Sequence, residues 1–136
     1  MARILILQEE PSWQAALRGC LEAKHELLVV HSRKVAIAAL LNEPFDLIIS
    51  RVHFRSDDVF QFLKELKSDA SLARIPVICF CGLRSRMANL TRGSVESASR
   101  TMGADAYLSV EDFCTGEWCD LESMRSAIEA FLVEQD

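Results

Sequence analysis

Ile4-Leu5-Ile6-Leu7 is apolar at four consecutive positions, with no polar residue alternating between them. A short run of this kind, with β-branched residues in it, predicts a strand covered on both faces. Pro11 follows, well placed for the first turn of a helix, and Trp13, Ala16, Leu17, Cys20 and Leu21 then recur at helical spacing. The unit repeats along the chain. Glu26 to His31 reads as a second strand, and Ser32 can cap a helix that turns Val35, Ala36, Ala39 and Leu40 to one side, before Asn42-Glu43-Pro44 stops it. Asp46 to Ser50 is a third strand. Ser56 or Asp57 can cap a third helix with Val59, Phe60, Leu63 and Leu66 inward. Ile75 to Cys81 is a fourth strand, with Pro76 near its start, where strands tolerate it. Gly82 to Gly103 is more polar. It predicts a long loop, then a helix from about Ser94 to Met102 ended by Gly103 as a C-cap. Asp105 to Ser109 is a fifth strand. A loop containing Gly116 leads to a last helix from Asp120, its N-cap, to Val133, with Leu121, Met124, Ile128, Phe131 and Leu132 apolar.

Five strands alternating with five helices predict one α/β domain over residues 1–136: a five-stranded parallel sheet in the order 2-1-3-4-5, with helices on both faces. Such sheets bind their ligands beyond the carboxyl ends of the strands. Function is therefore sought at Gln8 to Glu10, Ser50 to His53, Cys81 to Leu83 and Ser109 to Asp112.

Charge and composition narrow the partners. A formal charge of −5 argues against direct nucleic-acid binding, which needs clustered Lys and Arg. Arg84, Arg86, Arg92 and Arg100 form at most a local basic patch, and a solvated face is the simpler reading. No apolar run approaches the roughly 20 residues that span a bilayer. The start of the chain lacks a signal-peptide pattern, so a cytoplasmic location is expected. Five cysteines at irregular spacing do not read as a disulfide framework, and reduced, buried thiols are expected at Cys20, Cys79, Cys81, Cys114 and Cys119. Cys79 and Cys81 share a strand face, but zinc would need two further ligands. His25, His31 and His53 show no metal spacing. Neither metal nor cofactor is expected.

Ile4-Leu5-Ile6-Leu7-Gln8-Glu9-Glu10-Pro11, Phe45-Asp46-Leu47-Ile48-Ile49-Ser50-Arg51-Val52, Ile75-Pro76-Val77-Ile78 and Gly103-Ala104-Asp105-Ala106-Tyr107-Leu108 occur in order along nearly the whole chain. Together they resemble the signatures of the receiver domains of bacterial two-component response regulators, the CheY-like branch of the flavodoxin-like folds. The resemblance implies a pocket in which two acids and an acceptor aspartate hold magnesium. A lysine and a Ser or Thr there attend the transferred phosphoryl group. This chain departs at each place. Gln8 and Glu9, followed by Glu10, stand for the acid pair; Arg51 stands for the acceptor; Cys81 stands for Ser/Thr; Val110 stands for the lysine. The resemblance thus implies a pseudo-receiver, unable to form an acyl phosphate. Its Arg51 either pairs with Glu9 or Glu10 in the vacated metal site or points into solvent. Tyr107 matches the family's aromatic switch, and plain packing is its other reading. Leu83, Met87 and Leu90 offer an apolar contact stripe, and Trp118 lies in a loop beside Cys114 and Cys119.

The function expected is a protein-interaction module in bacterial signalling. Its partner would be a kinase, another receiver or an output domain. Homodimerisation through the face of the fourth helix, fifth strand and fifth helix is implied by resemblance alone. A small-molecule sensor is a second class, although no Gly-rich phosphate loop follows the first strand. Phosphorylation at a non-standard position, with Ser50, His53, Asp57 and Asp58 nearby, is a third. An enzyme is the least supported, since no nucleophile with an adjacent base is visible.

Overall fold

The computed structural model describes residues 2–52, 59–82, 86–116 and 118–133. In chain order the elements are β1 (Arg3–Leu7), α1 (Pro11–Leu21), β2 (Glu26–Val30), α2 (Arg33–Asn42), β3 (Leu47–Arg51), α3 (Val59–Ser68), β4 (Val77–Cys81), α4 (Arg86–Thr101) and β5 (Ala106–Ser109). A single 3-10 turn (Val110–Asp112), the short strands β6 (Cys114–Thr115) and β7 (Trp118–Cys119), and α5 (Leu121–Val133) complete it. The large sheet has the order β2-β1-β3-β4-β5 and is parallel throughout, as the alternating pattern predicts.

Strand alternation divides the interior in two. Leu5, Leu7 and Ile48 point to one face, where they meet Ala36 and Leu40 of α2 and Phe62, Leu63 and Leu66 of α3. Ile4, Ile6, Ile49, Ile78 and Phe80 point to the other, against Leu17 and Leu21 of α1 and Met124 and Ile128 of α5. Two covered faces are why these strands read as continuous apolar runs.

The expected caps form. Ser32 Oγ accepts a hydrogen bond from the Val35 amide at 3.2 Å, and Asp120 Oδ1 accepts one from the Ser123 amide at 3.0 Å. Gly103 takes a φ of 113°, and a Cβ there would lie 2.5 Å from Cε of Lys67. Ser56 and Asp57 lie outside the described residues.

Several expectations are corrected. The helix expected from Ser94 begins at Arg86, so most of the expected loop is helical. Polarity had suggested a loop, but the stretch holds no proline and contains good helix formers such as Arg, Met, Leu and Ala. Gly93 sits inside this helix, where an added Cβ would meet nothing within 4 Å. On α3 the inward position belongs to Phe62, and Phe60 is only partly buried. Val35 is 53% exposed, because α2 turns Ala36 and Leu40 to the sheet instead. The third strand runs one residue further than expected and ends on Arg51. Cys114 and Cys119 form a disulfide, and only Cys20, Cys79 and Cys81 are free and buried. Gly116, at φ 62°, turns the chain so that Cys114 faces Cys119 and Thr115 faces Trp118. No described helix is long and apolar enough to cross a membrane.

One polar cluster ties the start of β1 to α5. His25 Nδ1 accepts from the Ala2 amide at 3.1 Å, so Nε2 carries the proton and donates to Glu129 Oε2 at 2.6 Å. This bond, helped by Lys24 and Arg125, holds the Glu129 carboxyl below its ordinary 4.5. A depressed carboxyl stabilises the fold above its unfolded value and loses that contribution as pH falls through the folded one. Urea midpoints taken from about pH 6 down to about pH 3 are therefore expected to fall more steeply for the native chain than for His25→Ala. Parallel curves would remove the pair from the acid response.

Candidate functional site

The carboxyl ends of β1, β3 and β4 surround a cavity of about 170 Å³. Gln8, just past β1, is 2% exposed. Its Oε1 accepts from the Glu10 amide at 3.0 Å, and its backbone oxygen accepts from Gln14 Nε2 at 2.6 Å. Gln8 therefore pins the turn into α1, and its side-chain oxygen is already engaged. Glu10 lines the cavity and accepts from Ser12 Oγ at 3.2 Å. Arg51, half-buried at the end of β3, lines the opposite strand end, in register with Phe80 of β4. Ser50 points the other way, fully buried, with its hydroxyl donating to the Arg51 carbonyl at 3.0 Å. Cys81 completes the polar lining at 4% exposure.

Three further residues shape the cavity. Trp13, on the first turn of α1, meets the Phe80 ring edge to face, with centroids 5.7 Å apart. Gly82 lies under the indole, where a Cβ would stand 2.4 Å from Trp13 Nε1. Helical spacing marked Trp13 only as an inward position, and nothing in the sequence paired it with Gly82 some seventy positions on.

The cavity gathers Gln8, Glu10, Arg51 and Cys81 of the expected set. Glu9 is half-buried and outside the lining. Val110 is fully buried among Ile4, Ile6 and Phe80, in the core on the α1/α5 side and not in the cavity. Tyr107 is 6% exposed and packs inward, in register with Cys79, rather than standing on a surface. Leu83, His53, Asp57 and Asp58 lie outside the described residues. Met87 and Leu90 belong to α4, but their side chains are likewise outside them.

Among the described residues that line the cavity, Glu10 and Arg51 are the charged ones. Among the described residues no ion pair within 4.0 Å links Arg51 to Glu9 or Glu10, so the direct pairing expected from the sequence is not formed. Magnesium requires several hard oxygen ligands in octahedral array. An amide oxygen already hydrogen-bonded, one carboxylate, a thiol and a fixed cation do not fit that requirement. Among the described residues no three His, Cys, Asp or Glu side chains converge as a metal site. Burial pushes the Cys79 thiol up to about 12 and that of Cys20 to about 11, so neither is a ready nucleophile.

No family model and no curated protein matches the sequence. Solved structures do match. The signal receiver domain of a signal transduction histidine kinase from Syntrophus aciditrophicus is 24% identical with a TM-score of 0.73, over 98% of this chain and 92% of that one. The chemotaxis response regulator CheY4 of Vibrio cholerae is 19% identical with a TM-score of 0.76, over 97% and 99%. The phosphorylated cyanobacterial phytochrome response regulator RcpA is 19% identical with a TM-score of 0.75, over 99% and 96%. With its strand order, its two helical layers and these similarities along almost its full length, the chain has the fold of response-regulator receiver domains.

Proposed function

We propose that the chain is a receiver-like signalling module that takes no phosphate on aspartate and acts by binding a protein partner. The observation that carries this reading is Arg51. It lines the cavity at the end of β3, where the resemblance calls for the acceptor carboxylate. A permanent cation forms no acyl phosphate. Among the described residues, with one carboxylate in the lining and the neighbouring amide engaged, no cage forms for a metal that would screen the phosphoryl group. On this reading the module is cytoplasmic, is not an enzyme, and meets a kinase, another receiver or an output domain.

The test is incubation with acetyl phosphate and magnesium, read by intact mass, alongside beryllofluoride and magnesium, read by Trp13 emission in a Trp118→Phe background. Unchanged mass and unchanged emission are expected. A magnesium-dependent phosphate adduct on any residue overturns the proposal.

A further inference from the structure

We propose that Cys114 and Cys119 are a reversible thiol–disulfide exchange site for a dithiol reductant, and that their bond sets the position of Trp118. The pair lies outside the five-stranded sheet. It closes a hairpin of two-residue strands around Gly116, with Thr115, Gly116 and Trp118 exposed, the last at 65%. Strands so short do not hold a hairpin in water by themselves. The Thr115–Trp118 pairing, and with it the indole's placement, therefore leans on the covalent link.

The link matters less to the rest of the fold. The two cysteines are only five positions apart, and a ring so small restricts the unfolded chain less than a long one does. The base of the hairpin is closed independently of sulfur: the Asp120 amide donates to the Phe113 carbonyl at 2.8 Å. Asp120 also caps α5 through Ser123. Cleavage at the sulfurs should leave that junction in place.

Access selects the sulfur attacked. Cys119 is half-buried, whereas Cys114 is 6% exposed and packed in the α1/α5 core. An incoming thiolate attacks Cys119 Sγ, forms a mixed disulfide and expels Cys114 as a thiolate, which takes up a proton. The second thiol of the reductant then attacks its own bound sulfur and releases Cys119. One S–S bond is lost from the protein and one is gained by the dithiol, with two electrons and two protons passing to the cysteines. Cys20, Cys79 and Cys81 are buried and stay outside the exchange.

The experiment treats folded protein, purified without reductant, with dithiothreitol, followed by iodoacetamide and peptide mass analysis. No label is expected at Cys114 or Cys119 before treatment and full label at both after it, with far-ultraviolet dichroism unchanged. Amide exchange over residues 113–120 is expected to quicken about tenfold on reduction. In a Trp13→Phe background the anisotropy of Trp118 is expected to fall, and Cys114→Ser/Cys119→Ser should reproduce the reduced values with or without dithiol. Label in untreated protein, a bond that resists dithiol until the chain is denatured, loss of dichroism on reduction, or an unmoved Trp118 signal would each overturn the proposal.

Discussion

Phe80→Ala is expected to lower the stability of the fold by about 3–5 kcal/mol, read as a lower urea midpoint with little change in slope. Phe80 is fully buried near the end of β4, hydrogen-bonded into the sheet between β3 and β5, in register with Arg51 and Leu108. Its ring lies in the packed core between the sheet and α1 and α5, where the surrounding side chains relax only partly into the space a missing ring leaves. The cost therefore combines lost apolar burial with a cavity. One edge of the ring also supports Trp13. In a Trp118→Phe background the same substitution should shift Trp13 emission to the red even in protein that remains folded. Phe80→Leu keeps most of the volume and is expected to cost less than about 1.5 kcal/mol. Val35→Ala, at an exposed apolar position, should stay within about 0.5 kcal/mol of the native chain. Equal midpoints for Phe80→Ala and Val35→Ala would show that the core on this face is not packed as described.

The second large effect is a gain. Gln8→Asp combined with Arg51→Asp removes the cation from the cavity and adds two carboxylates beside Glu10. Three carboxylates facing one small cavity repel one another, so the double variant should melt below the native chain when no divalent ion is present. Magnesium supplies the opposing charge. Its affinity is expected on the order of millimolar, and the ion should restore about 1.4 kcal/mol once it reaches roughly ten times its dissociation constant. Melting temperature, and Trp13 emission in a Trp118→Phe background, followed as magnesium chloride is added, measure this directly. The native chain should respond in neither. Arg51→Asp alone should respond less than the pair, because Gln8 still spends its side-chain oxygen on the Glu10 amide. A double variant indifferent to magnesium would mean that the cavity is not in register with the metal site of phosphate-accepting receivers.

The strands were the most legible part of the chain. Ile4 to Leu7, Leu47 to Ile49 and Val77 to Cys81 are apolar without interruption because both sheet faces are covered, and that pattern has few other readings. Ser32, Asp120 and Gly103 were legible for a local reason: each acts on backbone within a few positions of itself. The first half of α4 was not. Met87 and Leu90 are its few large apolar residues, set among Arg, Asn, Thr and Gly, and polarity is equally at home on a solvated helix and in a loop. Within the cavity, Gln8 and Arg51 were legible as departures from a resemblance, but their geometry was not. Which of Glu9 and Glu10 faces inward depends on how Gln8 turns the chain, and Trp13 reaches Gly82 only after the sheet is assembled. The disulfide was hidden in the same way, since Cys114 and Cys119 become neighbours only once Gly116 adopts its left-handed turn.

His25 has a mechanical consequence. A single imidazole bridges the amide of Ala2 and the carboxylate of Glu129, so the residue entering the first strand and the next-to-last turn of the final helix are joined through one ring and two hydrogen bonds, of 3.1 and 2.6 Å. A pull applied between Ala2 and Glu129 would load this cluster together with the edge of the first strand pair, because the Ala2 carbonyl accepts from the Glu26 amide at 2.9 Å. Tethers attached at Ala2 and at Glu129 would leave from the same corner of the domain.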